Sequence, residues 1–420
     1  MADAYETGAI FTSAVPNWQR TWYEQKLLDT VRMKSILVPF AVTKEDFNAV
    51  KTNQIVYSEV YDMEPNWNST SENVIWFKGG ALDSRTVTID LAVYHDILKF
   101  SDYHNIIDYI NNGNIPAIVM DKIGQSLTDT LDILMRNALL THPYPTYAGS
   151  ATSRATLTAA DLFDPDRAEL ARIHLEEDEV PGVASNTDGG SQAIVCVTTP
   201  RVIHDIRTAA GSNWLDVQNY QSTGKKFTSE AGQWGGVRFI KTNRLWIKNA
   251  GLASNQDALS GATVPGQGAA ATVDTVYSPG QSTSTRYVTV ADSSGFAVGD
   301  VVTIHNQALG TTVLDSDGTQ ETRRIVALNS GGANRLTFDK PLLKDHADTD
   351  YVTVAQDVHA SIFMGGPSIV YGVGERPHII TPPKIDDALM VNRVGWRGMF
   401  KFQLFRPEWY EVHLSAGSTD

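Results

Sequence analysis

The chain has 420 residues, a formal charge of −14 at neutral pH, 42% apolar residues and a single cysteine. That length implies two or three domains, because single cores stop growing near ~250–300 residues, and the apolar content excludes global disorder. The lone Cys196 excludes an intrachain disulfide framework and a cysteine-rich metal site. The acidic balance argues against coating nucleic acid through a basic face, although a wall that does not adhere is no obstacle to enclosing it.

The opening "MADAYETGAIFTS" has no Lys or Arg before Arg20 and does not read as a signal peptide. The longest apolar run, "SILVPFAV", is too short to cross a bilayer, so a soluble cytosolic chain with no membrane partner is expected. Residues 1–50 lack strong periodicity but carry Trp18, Trp22, Tyr23 and Phe40, the pattern of an extended arm with short helical pieces lying on other surfaces.

Two β-rich runs, "NQIVYSEVYDM" and "SRTVTIDLAVY", enclose a turn-rich stretch containing Trp67, Trp76, Phe77, Gly79 and Gly80. This predicts a long hairpin over 51–95, with arms of ~15 residues reaching roughly 50 Å. A lone two-stranded ribbon is marginal in water, so its apolar residues need cover, from its own domain or from a neighbouring subunit. Next, "NIPAIVMDKIGQSLTDTLDILMRNALLTH" predicts a helix near 40 Å long, with Asn114 as N-cap, Pro116 in the first turn and a stripe of Val119, Ile123, Leu127, Leu131, Leu134 and Ala138.

Residues 157–177 predict a shorter helix, and "QAIVCV" predicts a buried strand in which Cys196 is a small apolar residue rather than a reactive thiol. The helix of "TPRVIHDIRTAAG" has Thr199 as N-cap, Pro200 at N1, Gly211 after its end, and Val202, Ile203, Ile206 and Ala210 on its buried face. Then "SEAGQWGGVRFIK" places Gly232, Gly235 and Gly236 in a turn before a strand that alternates between core and solvent, with Trp234 either a core plug or a subunit contact. Residues 251–285 are Gly, Ala, Ser and Thr-rich, as in a loop or linker. From Arg286 to about Val354 short strands alternate with turns, which predicts a small antiparallel barrel or sandwich inserted into the chain.

Catalytic constellations are weak. "TGKK" at Thr223–Lys226 lacks the glycine of a phosphate loop, since position 219 is Asn, and "GVGE" at Gly372–Glu375 reads as a turn. "DSDGTQE" at Asp315–Glu321 is too short for a calcium loop. No histidine pair has metal spacing; His204 reads as a partly buried structural residue, and Glu176 with Glu177 as a solvated charge run. No catalytic, cofactor-binding or metal residue is assigned, no cofactor is expected, and the chain is not expected to be an enzyme.

The order of elements resembles the major capsid proteins of tailed bacteriophages. "VCVTTPRVIHDIRTAAGSNWLDVQNY", with Pro200, Trp214 and Tyr220, is similar to the axial-domain segment of one coat subfamily. "EAGQWGGVRFIKTNRL" is similar to its glycine turn and strand, and "GWRGMFKF" near Trp396 to its closing segment. Ala231 and Gln233 around Gly232 depart from the Glu-Ile-Gly common in those coats. The resemblance covers most of the chain outside residues 255–355. It implies an α+β fold made of an N-terminal arm (1–50), an E-loop hairpin (51–95), a peripheral domain with a spine helix (96–156), an axial domain (157–254), an inserted β domain (255–355) that projects outward, and a return through the axial domain to peripheral strands (356–420).

The implied function is structural. Hexamers and pentamers of the chain would form an icosahedral shell in the host cytoplasm, enclosing double-stranded DNA without sequence-specific binding and becoming the virion capsid. A portal protein is an implied partner, with scaffolding and decoration proteins as further candidates. Trp18, Trp22, Trp67, Trp76, Phe77, Gly79, Gly80 and Trp234 are the candidate subunit-interface residues. Two alternatives are an encapsulin-like compartment shell and a surface carbohydrate-binding protein, the latter suggested by the β pattern of residues 286–354, where no exposed aromatic cluster is obvious beyond Tyr287, Phe296 and Tyr351.

Overall fold

A computed structural model describes residues 35–45, 53–60, 83–101, 115–184, 192–211, 229–260, 286–306, 320–342, 346–347, 349–382 and 391–418. In chain order the elements are β1 (Val42–Glu45), β2 (Gln54–Val60), β3 (Ser84–Asp90), β4 (Ala92–Ser101), α1 (Ile115–Leu139), β5 (Thr146–Tyr147), α2 (Pro165–Glu177), β6 (Val183–Ala184), β7 (Gln192–Thr198) and α3 (Pro200–Ala210). There follow β8 (Glu230–Trp234), β9 (Val237–Lys241), β10 (Trp246–Ile247), β11 (Ala253–Ala258), β12 (Tyr287–Thr289), β13 (Val301–His305), β14 (Glu321–Leu328), β15 (Arg335–Phe338) and β16 (Tyr351–Ala355). The last are β17 (Val358–Met364), β18 (Ile369–Ile380), β19 (Val391–Leu404) and β20 (Tyr410–Ser415). The chain divides into two compact units, Met1–Leu134 with Ile369–Phe405, and Met135–Ser368 with Arg406–Asp420.

In the first unit a four-stranded sheet runs in the order β1-β18-β19-β4. Its long strands β18 and β19 supply one buried face, where Trp396, Phe400 and Phe402 are covered. Trp396 donates through Nε1 to Ser126 Oγ (3.4 Å), and Ser126 donates to Asp96 (2.5 Å), which joins the sheet to α1. The other face carries the ribbon β2–β3, whose inward residues Ile55, Tyr57, Val87 and Ile89 pack on Val370, Met399 and Phe405. The "GVGE" stretch is no turn: it lies inside β18, where Gly372 and Gly374 form a notch. A Cβ at Gly372 would stand 3.2 Å from Ile89, and one at Gly374 2.6 Å from Leu91. Glycines two apart in a strand share a face, so their absent side chains let the ribbon root come close.

In α1 the buried line departs from the expected one near its end. Val119, Ile123, Leu127 and Leu131 are buried as expected, but the line continues through Met135 and Leu139, while Leu134 and Ala138 are half-buried. Strict four-residue spacing advances about 40° per step at 3.6 residues per turn, so the covered face winds around the helix instead of running straight.

In the second unit an eight-stranded sheet includes the path β5-β20-β17-β7-β9-β8. Strands β7 and β9 are parallel and central, with α3 in the connection between them. This corrects the alternation expected from Val237, because Val237, Arg238, Phe239 and Ile240 are all buried in a strand covered on both faces. Gly235 (φ 54°) and Gly236 (φ 82°) form the two-residue turn of the β8–β9 hairpin, a pair of positive φ values that suits glycine. Helix α2 begins only at Pro165, behind an Asp164 cap, because a residue before proline is steered out of the helical region. On α3, Asp205 is buried and His204 is exposed, the reverse of the expected role for that histidine.

The insertion is a closed barrel. Its six strands run β11-β16-β13-β14-β15-β12, and Ser260 N–H to Thr289 O (2.8 Å) with Ala291 N–H to Ala258 O (3.2 Å) join the two ends. The stretch at 253–258, expected as linker, is thus a strand, because pairing with β16 outweighs its small-residue composition. Val288, Phe296, Ile304, Ile325, Leu336, Phe338 and Val352 fill the interior. Phe296 is therefore core, and Arg335 covers the Tyr287 ring. At the neck, the buried Asn249 donates to Val301 O and Thr303 Oγ1 and accepts from Ala355 N–H, tying entry and exit strands together.

Gly374→Val tests the notch. The added methyls collide with Leu91, and overpacking of this kind costs about 1–3 kcal/mol. Hydrogen exchange should quicken at Ile55–Tyr57 and Val87–Leu91 while the barrel amides keep their rates.

Candidate assembly surfaces

The ribbon β2–β3 presents two unlike faces. Its outward side carries Gln54, Val56, Ser58 and Val60 opposite Asp90, Thr88, Thr86 and Ser84. Val56 is 55% exposed and Val60 52%, large values for β-branched side chains in register on one face. Gln54 donates to Asp90 (2.8 Å), and the hydroxyls of Ser58 and Thr86 lie 3.3 Å apart. Such a surface of β-branched and hydroxyl residues is what a second sheet or strand packs against.

The start of the described chain is held at one point. Asp132, buried on α1, accepts from Ser35 Oγ (2.7 Å) and from the Ile36 and Leu37 amides (each 3.4 Å). Leu37 is fully buried, and β1 then adds to the sheet beside β18 in parallel. Arg376 bonds Glu45 at the end of β1 (Nε to Oε1, 3.1 Å). The described chain thus begins at an anchored point.

Basic residues also meet locally within the acidic chain. On the face of β19 away from α1, Arg393 and Arg397 lie beside the registered positions of His95 on β4 and His378 on β18. Glu375 is the acid among them, 2.9 Å from Arg397 and 3.7 Å from His378.

Of the candidate interface residues, Trp18, Trp22, Trp67, Trp76, Phe77, Gly79 and Gly80 lie outside the described residues, as does the 223–226 stretch. Trp234 ends β8 beside the glycine turn; it is half-buried and packs against the core of Phe163, Phe239 and Phe363. Reasoning from sequence missed Asp132, the Gly372–Gly374 notch and the basic sheet face. Glycines at i and i+2 within an apolar run were the available signal for the notch. Asp132 has no local signal, since its partners lie almost a hundred residues away.

Burial governs the titratable groups of the second unit. The Cys196 thiol is pushed well up by full burial. His413 is lowered to about 3, chiefly by burial and then by the Arg167 charge. His359 is lowered to about 4 by burial, with Arg201 acting in the same direction and Asp357 against it. Each neutral ring is placed by a hydroxyl, Thr146 for His413 (3.0 Å) and Thr199 for His359 (2.9 Å). Among the described residues no three His, Cys, Asp or Glu side chains converge to hold a metal ion.

No protein-family model matches the chain, and no curated protein resembles it significantly in sequence. Solved structures do resemble it. The capsid of Ralstonia phage GP4 superposes with a TM-score of 0.51 at 13% identity, over 91% of this chain and 88% of that one. The chain has the fold of a phage capsid protein. The capsids of cyanophage Pam1 (11% identity, 91% and 90% coverage) and cyanophage P-SCSP1u (10%, 91% and 89%) both superpose with TM-scores of 0.47. At such identities, what this phage capsid fold preserves is the pattern of strands and helices, not its side chains.

Stability should depend on pH through the two buried histidines. Both are neutral in the fold, whereas an unfolded histidine titrates near 6.5, so the unfolded chain binds more protons below that value. Their contribution is complete above about pH 6.5 and is lost as pH falls toward 4 and 3. The slope is about 1.4 kcal/mol per pH unit for each group. Urea unfolding at pH 7.5, 6 and 5 should show this decline, and His413→Gln should make it shallower.

Proposed function

We propose that the chain is the major capsid protein of a tailed bacteriophage and that its work is assembly. The observation that carries this reading is the match of nearly the whole chain to nearly the whole of a phage capsid chain. The ribbon supports it, since its outward face leaves Val56 and Val60, among hydroxyl side chains, uncovered by the described residues. In this reading the ribbon is the root of the E-loop over 51–95, residues 1–50 are the arm, α1 is the spine of the peripheral domain, and the eight-stranded sheet belongs to the axial domain. The inserted barrel projects outward.

Copies would assemble as hexamers and pentamers into an icosahedral shell around double-stranded DNA, in the host cytoplasm, with a portal protein at one vertex and scaffolding or decoration proteins as further partners. Energy for assembly would come from burying Trp67, Trp76, Phe77 and the arm residues Trp18 and Trp22 between copies, with Gly79 and Gly80 allowing the loop to bend and Trp234 as a further contact. Repulsion from a charge of −14 would temper non-specific association. The role is structural, with no enzymatic step.

Deleting residues 62–83 and joining the strands by a short turn tests the lapping ribbon. The variant should remain soluble, with the thermal stability of the parent, and form no closed shells by electron microscopy. Shells of normal geometry would refute the idea that the ribbon tip holds copies together.

A further inference from the structure

A pocket of about 430 Å³ lies within the second unit, lined by His142, Tyr144, Leu175, Asp178, Glu408 and Tyr410 among others. Two helices end at it. The turn His142–Tyr144 follows directly from the end of α1, and Leu175 and Asp178 belong to the end of α2. Helix C-termini carry partial negative charge, so two of them at one cavity favour a cation there.

The sequence deepens that negative potential instead of relieving it. Helix α2 finishes with Glu176-Glu177-Asp178-Glu179, acids where Lys or Arg would suit the dipole. Its end is a Schellman closure, with Val180 N–H on Leu175 O (3.0 Å) and Glu179 N–H on Glu176 O (3.1 Å). Glu179 occupies the left-handed position of that closure at φ 51°, where glycine would be relaxed. Arg172 reaches Glu176 at 3.6 Å, while Glu177, Asp178 and Glu179 make no ion pair with the described residues. The chain thus tolerates both backbone strain and electrostatic conflict to keep carboxylates at this helix end.

The remaining lining supplies one titratable base, His174 in the last turn of α2, and it faces Glu411 at 3.6 Å. Arg167 is committed to Glu411, the carboxylate at the pocket floor. His142 is held as the neutral tautomer, because its Nδ1 accepts from the Tyr144 amide (3.1 Å) and Nε2 donates to Pro407 O (3.0 Å). Its ring meets Tyr410 edge-on at 4.7 Å. Tyr144 stands on the rim, 81% exposed. The walls are therefore apolar and aromatic, with carboxylates at the mouth. That combination suits a side chain with an aliphatic stem and a cationic head, which takes the ring contacts along its length and the carboxylates at its tip.

We propose that this pocket receives an arginine or lysine side chain from a second copy of the chain. The inference rests on the assembly reading above, which brings copies together. Charge complementarity supports a second copy as the source, since the same chain exposes basic residues such as Arg324 and Arg397 elsewhere. In an assembled particle the pocket would neutralise the end of α2 and so register one copy against the next.

Two measurements test it separately. First, N-acetyl-arginine methylamide is titrated into the unassembled chain while the Tyr144 and His174 rings are followed by NMR. A saturable response, lost in Asp178→Lys and absent with N-acetyl-norleucine methylamide, supports the pocket. No response, or an equal response to the neutral probe, overturns it. Second, the concentration at which particles form is compared for the parent, Asp178→Lys and Tyr144→Ala, whose altered side chains are exposed. A rise of about tenfold or more with unchanged melting temperature supports docking by a second copy, and unchanged assembly of both variants overturns it. If the parent itself forms no particle, the assembly reading and the second-copy source fall together, while the titration still decides whether the pocket takes a cation.

Discussion

A two-stranded ribbon has one face too many. In β2–β3 the inner face is satisfied by the glycine notch of β18 and by Phe405, whose ring meets Tyr57 edge-on at 4.6 Å. The outer face, with Val56 and Val60, has no cover among the described residues. Two strands cannot bury both sides of themselves, so the ribbon is stable at its root and incomplete beyond it. In the proposed assembly a neighbouring copy would supply that cover.

The rest of the architecture keeps that incompleteness local. The first unit has its own sheet, with Trp396 buried and bonded to Ser126 on α1, and Asp132 holds the chain at Ser35–Leu37. The second unit has a central sheet whose strands β7 and β9 are covered on both sides. The barrel's end strands are joined by the Ser260–Thr289 and Ala291–Ala258 hydrogen bonds, so the sheet closes there.

Much of this was legible in the sequence where local chemistry decides. Pro116, Thr199-Pro200 and the Gly235-Gly236 pair mark helix starts and a hairpin turn because those residues restrict or release the backbone directly. The barrel strands were legible from alternation between turns. Failures came where distant residues decide. Val237–Ile240 resemble an alternating strand, but α2 and α3 cover the face of Val237 and Phe239, and Arg238 and Ile240 on the opposite face are buried as well. The 253–258 stretch has linker composition, yet β16 recruits it. Net charge carries no information on grouping, and Glu176–Glu179 gather at one helix end.

The central claim is that copies of this chain complete one another. The most direct measurement is electron microscopy of the purified full-length chain across a range of concentrations and salt. The account predicts rings, tubes or closed shells, with averaged density in which each ribbon lies against a neighbouring copy. A monodisperse monomer under every condition, with a scaffolding protein also supplied, would contradict it.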